Sequence, residues 1–143
     1  MESEIFIIES KLSLLVNYYN EISSLKNISY HEYQQNKIVK RGIERLLQLM
    51  VEVASDINNL LILHVGEKVP ESYYDSFIAL SKIKVLNSNL AKELAKTAGL
   101  RNRLVHEYGE YKDEIVYRNI KKFCIIYARY IRFVQKFIEN TMK

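Results

Sequence analysis

A chain of 143 residues with four glycines, one proline and one cysteine is bounded first by what it lacks. Sandwiches and barrels need many tight turns, and those turns need Gly and Pro, so the composition argues against an all-β fold and for long helices joined by few turns. The length fits one domain over residues 1–143, a lone Cys124 excludes an internal disulfide, and a net charge of +4 accommodates a nucleic-acid ligand without requiring one.

Residues 4 to 25 carry Ile5, Ile8, Leu12, Leu15, Val16, Tyr19 and Ile22, and those spacings of three and four predict an amphipathic helix. The stretch K-N-I-S-Y is a break. Ser29 followed three residues later by Glu32 resembles a capping box, so a second, long helix is expected to open there. Leu46, Leu47, Met50, Val53, Ile57, Leu60 and Leu61 hold its period, and Gly66 then Pro70 close it. Gly42 inside this helix costs helix propensity and predicts a close approach of another helix at that point.

Ser72 through Asp75 caps a short third helix with Phe77, Ile78, Leu80 and Ile83 on its apolar side. The run N-S-N at 87–89 is both a break and a cap. A fourth helix then runs through Leu90, Leu94 and Ala98 into the octet R-N-R-L-V-H-E-Y at 101–108, with a bend expected at Gly99 and an end at Gly109. The last helix is expected to open near Asp113 and to keep its period through Ile115, Ile120, Phe123, Tyr127, Ile131, Val134 and Ile138. The sum is an all-α, up-and-down bundle of four main helices plus a short one.

The start M-E-S-E-I-F is acidic, unlike a secretory signal, and no run of 18 apolar residues occurs, so the expected setting is the cytoplasm with no membrane span. Cys124, inside F-C-I-I-Y, reads as a buried reduced thiol. His31 and His64 stand alone, without ligand spacing, and read as structural, so neither a metal nor a cofactor is expected. Arg118, Lys121, Lys122, Arg129, Arg132 and Lys136 of the last helix read as a solvated face rather than an RNA track.

The octet carries the chemistry. At about 100° per residue, with Arg101 at zero, Asn102 falls near 100° and His106 near 140°, while Leu100 and Leu104 fall roughly opposite His106. Continued helically, Tyr108 would fall almost above Arg101. An imidazole moves protons near neutral pH. A guanidinium holds a phosphate and stabilises charge in the transition state. The carboxamide of Asn102 can donate to a phosphate or ribose oxygen, and Arg103 adds a cation for docking RNA. With the ribose 2′-hydroxyl as nucleophile, such a set cleaves a phosphodiester without a metal. One imidazole does not readily act as base and acid in the same step, so a symmetric dimer with two facing octets would supply the second. Taken alone, R-x4-H is a short pattern, and His106 reads equally as a surface histidine beside Glu107, and Tyr108 as a core aromatic.

The octet in its context, G-L-R-N-R-L-V-H-E-Y at 99–108, resembles the R-x4-H-x-Y motif of HEPN-domain proteins of the HepT toxin type. K-R-G-I-E-R-L-L-Q-L-M-V-E-V-A-S-D-I at 40–57 is similar to that family's second-helix signature, and the resemblance spans roughly residues 5 to 138. It implies a helical homodimer with the two motifs meeting between protomers. It implies a metal-independent endoribonuclease, the toxin of a type II toxin–antitoxin system, with Arg101, Asn102 and His106 at the catalytic positions. The partner it implies is a small MNT nucleotidyltransferase antitoxin that transfers AMP from ATP to the motif tyrosine, here Tyr108. The alternative is a non-catalytic HEPN subunit that serves a nucleotidyltransferase as a binding module.

Overall fold

The computed structural model describes residues 2–107 and 109–143. Six α-helices follow one another among them: α1 (Glu2–Leu25), α2 (Tyr30–Gln35), α3 (Lys37–His64), α4 (Tyr73–Lys82), α5 (Ser88–His106) and α6 (Glu110–Phe137), with a π-helical turn over Ile138–Met142. The all-α expectation holds, with α1, α3, α5 and α6 as the four main helices and α4 as the short one.

One repeated spacing builds the bundle. On α3 the residues Ile43, Leu47, Met50, Ala54, Ile57 and Leu61 are fully buried, and on α6 Val116, Ile120, Phe123, Tyr127, Tyr130 and Val134 are almost wholly so. Both series step by four and three, which keeps one stripe of each helix turned to the core. α3 packs against α1, α2, α4 and α5, and α6 lies against α5, α1 and α2. α3 is also long and apolar enough to cross a membrane by composition, with an 18-residue window of mean hydropathy 1.4, but half of that window is buried inside the bundle.

Local chemistry sets the boundaries. Ser29, Ser72 and Asn87 each accept the backbone N–H three residues on, as the sequence predicts for helix caps. The long second helix is not continuous from Ser29, however. Asn36 accepts Val39 N–H and starts α3 afresh, leaving α2 as a separate single-turn helix. An asparagine among Q-Q-N-K carries little positional signal, which is why the break is missed. α3 ends in a Schellman closure: Gly66 N–H bonds Leu63 O, Glu67 N–H bonds Ile62 O, and Gly66 supplies the positive φ of 84°. α4 closes in the same way with Lys84 at φ 66°, a conformation that non-glycine residues rarely adopt.

Four further expectations are corrected. A Cβ at Gly42 would meet nothing within 4 Å, so no close helix approach explains that glycine. α5 runs through Gly99 as uninterrupted helix, and it ends at His106, with Glu107 already extended at φ −113°, ψ 152°. α6 opens at Glu110, three residues before Asp113, and Gly109 with φ 101° is its N-cap. Arg118, Lys121, Lys122, Arg129, Arg132 and Lys136 of α6 are all exposed, whereas Lys112 in its first turn is buried.

Buried polar groups pin the helices that carry the motif. Thr97 on α5 donates to Leu94 O, so its Oγ1 accepts the hydroxyl of Tyr127 on α6 at 2.9 Å. Tyr130 places its hydroxyl 2.6 Å from Asn58 Oδ1 and 3.1 Å from Ala54 O on α3. Asn58 in turn donates to Ser76 on α4. These bonds fix α3, α4, α5 and α6 relative to one another in the layer beneath the motif.

Candidate functional site

Arg101 sits on the penultimate turn of α5 and turns inward rather than to solvent. Its Nε and Nη2 both lie 3.1 Å from Glu52 Oε2 on α3, and Gln48 donates to that same oxygen at 3.0 Å. The guanidinium also lies 4.9 Å from the ring centroid of Tyr73, the first residue of α4. Side-chain exposures of 19% for Arg101 and 27% for Glu52 leave this pair partly shielded from water. The remaining edge of the guanidinium reaches Asn102, with Nη1 3.4 Å from Oδ1. Arg101 is therefore fixed from three sides, by α3, by α4 and by its own helix.

Asn102 is exposed and opens on a cleft of about 420 Å³ whose wall includes Asp56, Asn59, Tyr73 and Tyr74. The carboxamide oxygen of Asn59 is buried there without a hydrogen-bond partner among the described residues. Arg103 pairs with Glu107 one turn later at 2.9 Å, an exposed pair of small energetic worth. His106 is the last residue of α5, exposed, and without a hydrogen-bond partner among the described residues. Helical geometry sets it about 7.5 Å along the axis and about 140° around it from Arg101. The structure brings Arg101 and Asn102 into contact, and it places His106 one turn beyond Asn102 on the same side of α5, without a hydrogen bond to either among the described residues. Tyr108 lies outside the described residues.

A charged cluster anchors the start of α6, immediately after the motif. Lys112, buried at 7% exposure, donates to Glu44 Oε2 at 3.0 Å and lies 3.3 Å from Asp113. Tyr33 donates to the same Glu44 oxygen at 2.8 Å, and Lys40 pairs with Asp113 at 2.9 Å. Burial, then the Glu44 carboxylate, pushes the Tyr33 phenol far above its ordinary range. The cluster ties the first turn of α6 to α2 and α3 and so fixes where the chain returns after His106.

Sequence reading missed Glu52 and Tyr73. Glu52 carried a signal: it is a carboxylate flanked by the core residues Val51 and Val53 in an otherwise apolar run, and a charge so placed calls for a partner. Tyr73 carried none, since its role depends on how α4 lands on α5. His64, read as structural, is held by Glu4 at 2.9 Å. Among the described residues no three His, Cys, Asp or Glu side chains cluster as metal ligands.

The geometry defines a class, all-helical bundles that carry an R-x4-H pair on the last turns of an internal helix. The chain belongs to the family described as Ribonuclease HepT-like, whose sequence model matches residues 15–137, and it is on that footing an endoribonuclease. It is 33% identical over 132 residues to a tRNA nuclease HepT of Aphanizomenon flos-aquae, covering 92% of this chain and 90% of that one. It is 31% identical over 85 residues to an mRNA nuclease HepT of Shewanella oneidensis, covering 59% of this chain and 64% of that one. Two solved structures share the fold. The tri-AMPylated Shewanella oneidensis HEPN toxin in complex with MNT antitoxin matches with TM-score 0.75 at 21% identity, covering 95% of this chain and 99% of that chain. A toxin–antitoxin complex, MntA–HpeT, matches with TM-score 0.81 at 24% identity, covering 91% and 98%.

Proposed function

We propose that this chain is the toxin of a toxin–antitoxin pair, and that it cleaves RNA without a metal ion at a site assembled from two protomers. The observation that carries this reading is the accessible motif: Arg101 is clamped beside Asn102, and His106, one turn beyond Asn102 on the same side of α5, ends the helix exposed and with no hydrogen bond among the described residues. One chain offers a single imidazole where the reaction needs both a base and an acid, and a second copy related by a two-fold axis would supply the other.

The chemistry needs no further group. One His106 takes the proton of a ribose 2′-hydroxyl, whose oxygen attacks the adjacent phosphorus. The bond from phosphorus to the 5′-oxygen breaks, and the His106 of the other protomer returns a proton to that leaving oxygen. Arg101 and Asn102 hold the non-bridging oxygens, where negative charge grows in the transition state. Arg103 adds a cation near the entering RNA.

The partner is an MNT-type nucleotidyltransferase antitoxin, a reading supported by the solved toxin–antitoxin complexes of the same fold. It transfers AMP from ATP to Tyr108: the phenolic oxygen attacks the α-phosphorus, pyrophosphate leaves and the phenolic proton goes to solvent. The added negative charge then blocks RNA phosphate next to the motif. RNA as substrate and a reduced thiol at Cys124 both suit the cytoplasm as its place of action.

The test is cleavage of RNA in EDTA by wild-type protein and by His106→Ala. The variant loses cleavage by about two orders of magnitude or more and keeps its circular dichroism and melting temperature, because the side chain is exposed and bonds nothing described. Full activity in His106→Ala ends this reading. Co-expression with the nucleotidyltransferase adds AMP to the peptide holding Tyr108, and full neutralisation of an unmodified peptide would replace chemistry with simple binding.

A further inference from the structure

A groove of about 420 Å³ lies between α1 and α6, away from the motif. Lys26, Lys121, Arg129 and Arg132 all reach its wall, and no carboxylate does. Every one of the four is exposed, and none of them forms an ion pair among the described residues, although nine other basic side chains do. Four cations facing one hollow without counter-charge repel one another, so the groove is poised for a polyanion. Tyr19 and the exposed Ile125 also line it.

We propose that this groove is a second RNA contact, a track for the sugar–phosphate backbone remote from the cutting site. The three α6 cations fall within about 80° of arc, at about 0, 12 and 16.5 Å along the helix axis. That ladder serves two or three phosphates of one strand better than a single bound anion. Measured from the start of α6, four residues after His106, the ladder lies about 16 to 33 Å along the helix, and none of residues 101–107 lines the groove, so an RNA gripped there extends beyond the cleaved step. An acidic protein surface is the weaker fit, because a stable protein interface needs an apolar centre and the groove exposes one large apolar side chain. The proposal rests on RNA being the substrate and adds where a folded RNA is gripped.

The experiment measures affinity for a folded RNA of tRNA size as a function of salt, in the His106→Ala background so that nothing is cut. Replacing Lys121, Arg129 and Arg132 together by Gln lowers the slope of log affinity against log salt by about 2 to 3 and weakens binding about tenfold or more near physiological salt. A control with Lys68, Lys82 and Lys92 changed to Gln removes the same charge elsewhere and leaves the slope as it was. Equal slopes and affinities for the groove variant and its parent overturn the proposal. So does unchanged RNA binding with lost binding to phosphatidylglycerol vesicles or to the purified antitoxin, which assigns the groove to that partner instead. If wild-type protein fails to cut RNA while the groove variant still loses RNA affinity, the ribonuclease reading falls and the groove stands. If cleavage depends on His106 while the groove variant binds normally, the reverse holds.

Discussion

Glu52→Ala isolates what the clamp on Arg101 does. Glu52 accepts from both Nε and Nη2 of Arg101 at 3.1 Å, and neither side chain is more than a third exposed. A hydrogen bond to a charged partner in such a setting contributes about 1.5–3 kcal/mol. If that energy holds the guanidinium where charge grows in the transition state, its loss appears in kcat as about 10- to 150-fold, at about 1.4 kcal/mol per tenfold. The carboxylate also repels incoming phosphate, so its removal lowers KM. Glu52→Gln keeps an acceptor without the charge and falls between wild type and Glu52→Ala in kcat. The assay is steady-state cleavage of a fluorescent RNA, with circular dichroism to verify folding. Unchanged kcat in a folded Glu52→Ala protein would falsify the clamp as a positioning device and leave Arg101 acting through charge alone.

Two further outcomes concern stability. Tyr130→Phe strips the hydroxyl from Asn58 Oδ1 and Ala54 O in a dry interior, costing about 1–3 kcal/mol, or a fall in melting temperature of roughly 3–10 °C; a fall under about 2 °C would mean that the hydroxyl holds nothing of consequence. Burial pushes the Cys124 thiol and the Tyr33, Tyr127 and Tyr130 phenols up. In the unfolded chain these groups ionise near pH 8.5 and near pH 10, while the fold keeps them protonated, so their contribution is whole below about pH 8 and is lost as pH rises. The slope reaches about 1.4 kcal/mol per pH unit for each group that ionises only on unfolding. Urea midpoints at pH 7.5 and 10.5 measure it, and equal midpoints would count against burial of these groups.

Periodicity exposed the core because burial and helical spacing are the same fact read twice: Leu47, Met50, Ile57 and Leu61 on α3 were legible from the sequence, and all four are fully buried. Caps were legible for a local reason, since Ser72 and Asn87 act on backbone three residues away. Asn36 caps α3 by the same local device, accepting Val39 N–H, and it goes unread because Gln34, Gln35 and Lys37 around it all tolerate a helix. The motif residues were legible by type, but their directions were not. Helical angles set Arg101 about 60° from Leu104, at the edge of the apolar side, and it is Glu52, forty-nine residues earlier, that turns its guanidinium inward. The anchor that sets where α6 begins after α5 ends at His106 pairs Lys112 with Glu44, sixty-eight residues apart in sequence.

The division of the motif yields a test that separates two kinds of dimer. Arg101 is held by Glu52, whereas His106 ends its helix exposed and without a hydrogen bond among the described residues. If each reaction uses one His106 as base and the other protomer's as acid, a dimer with one His106→Ala chain is as inactive as one with two. Mixing wild type with His106→Ala, after exchange of protomers in mild denaturant, then leaves activity falling as the square of the wild-type fraction, to about one quarter at equal amounts. Independent sites give a straight line, about one half at the same point. The curve is read at constant total protein by RNA cleavage, with isotope-labelled His106→Ala confirming exchange by native mass spectrometry. A straight line with verified heterodimers would show that each protomer finds its acid and base within itself, and the exposed imidazole would then need a proton partner other than its twin.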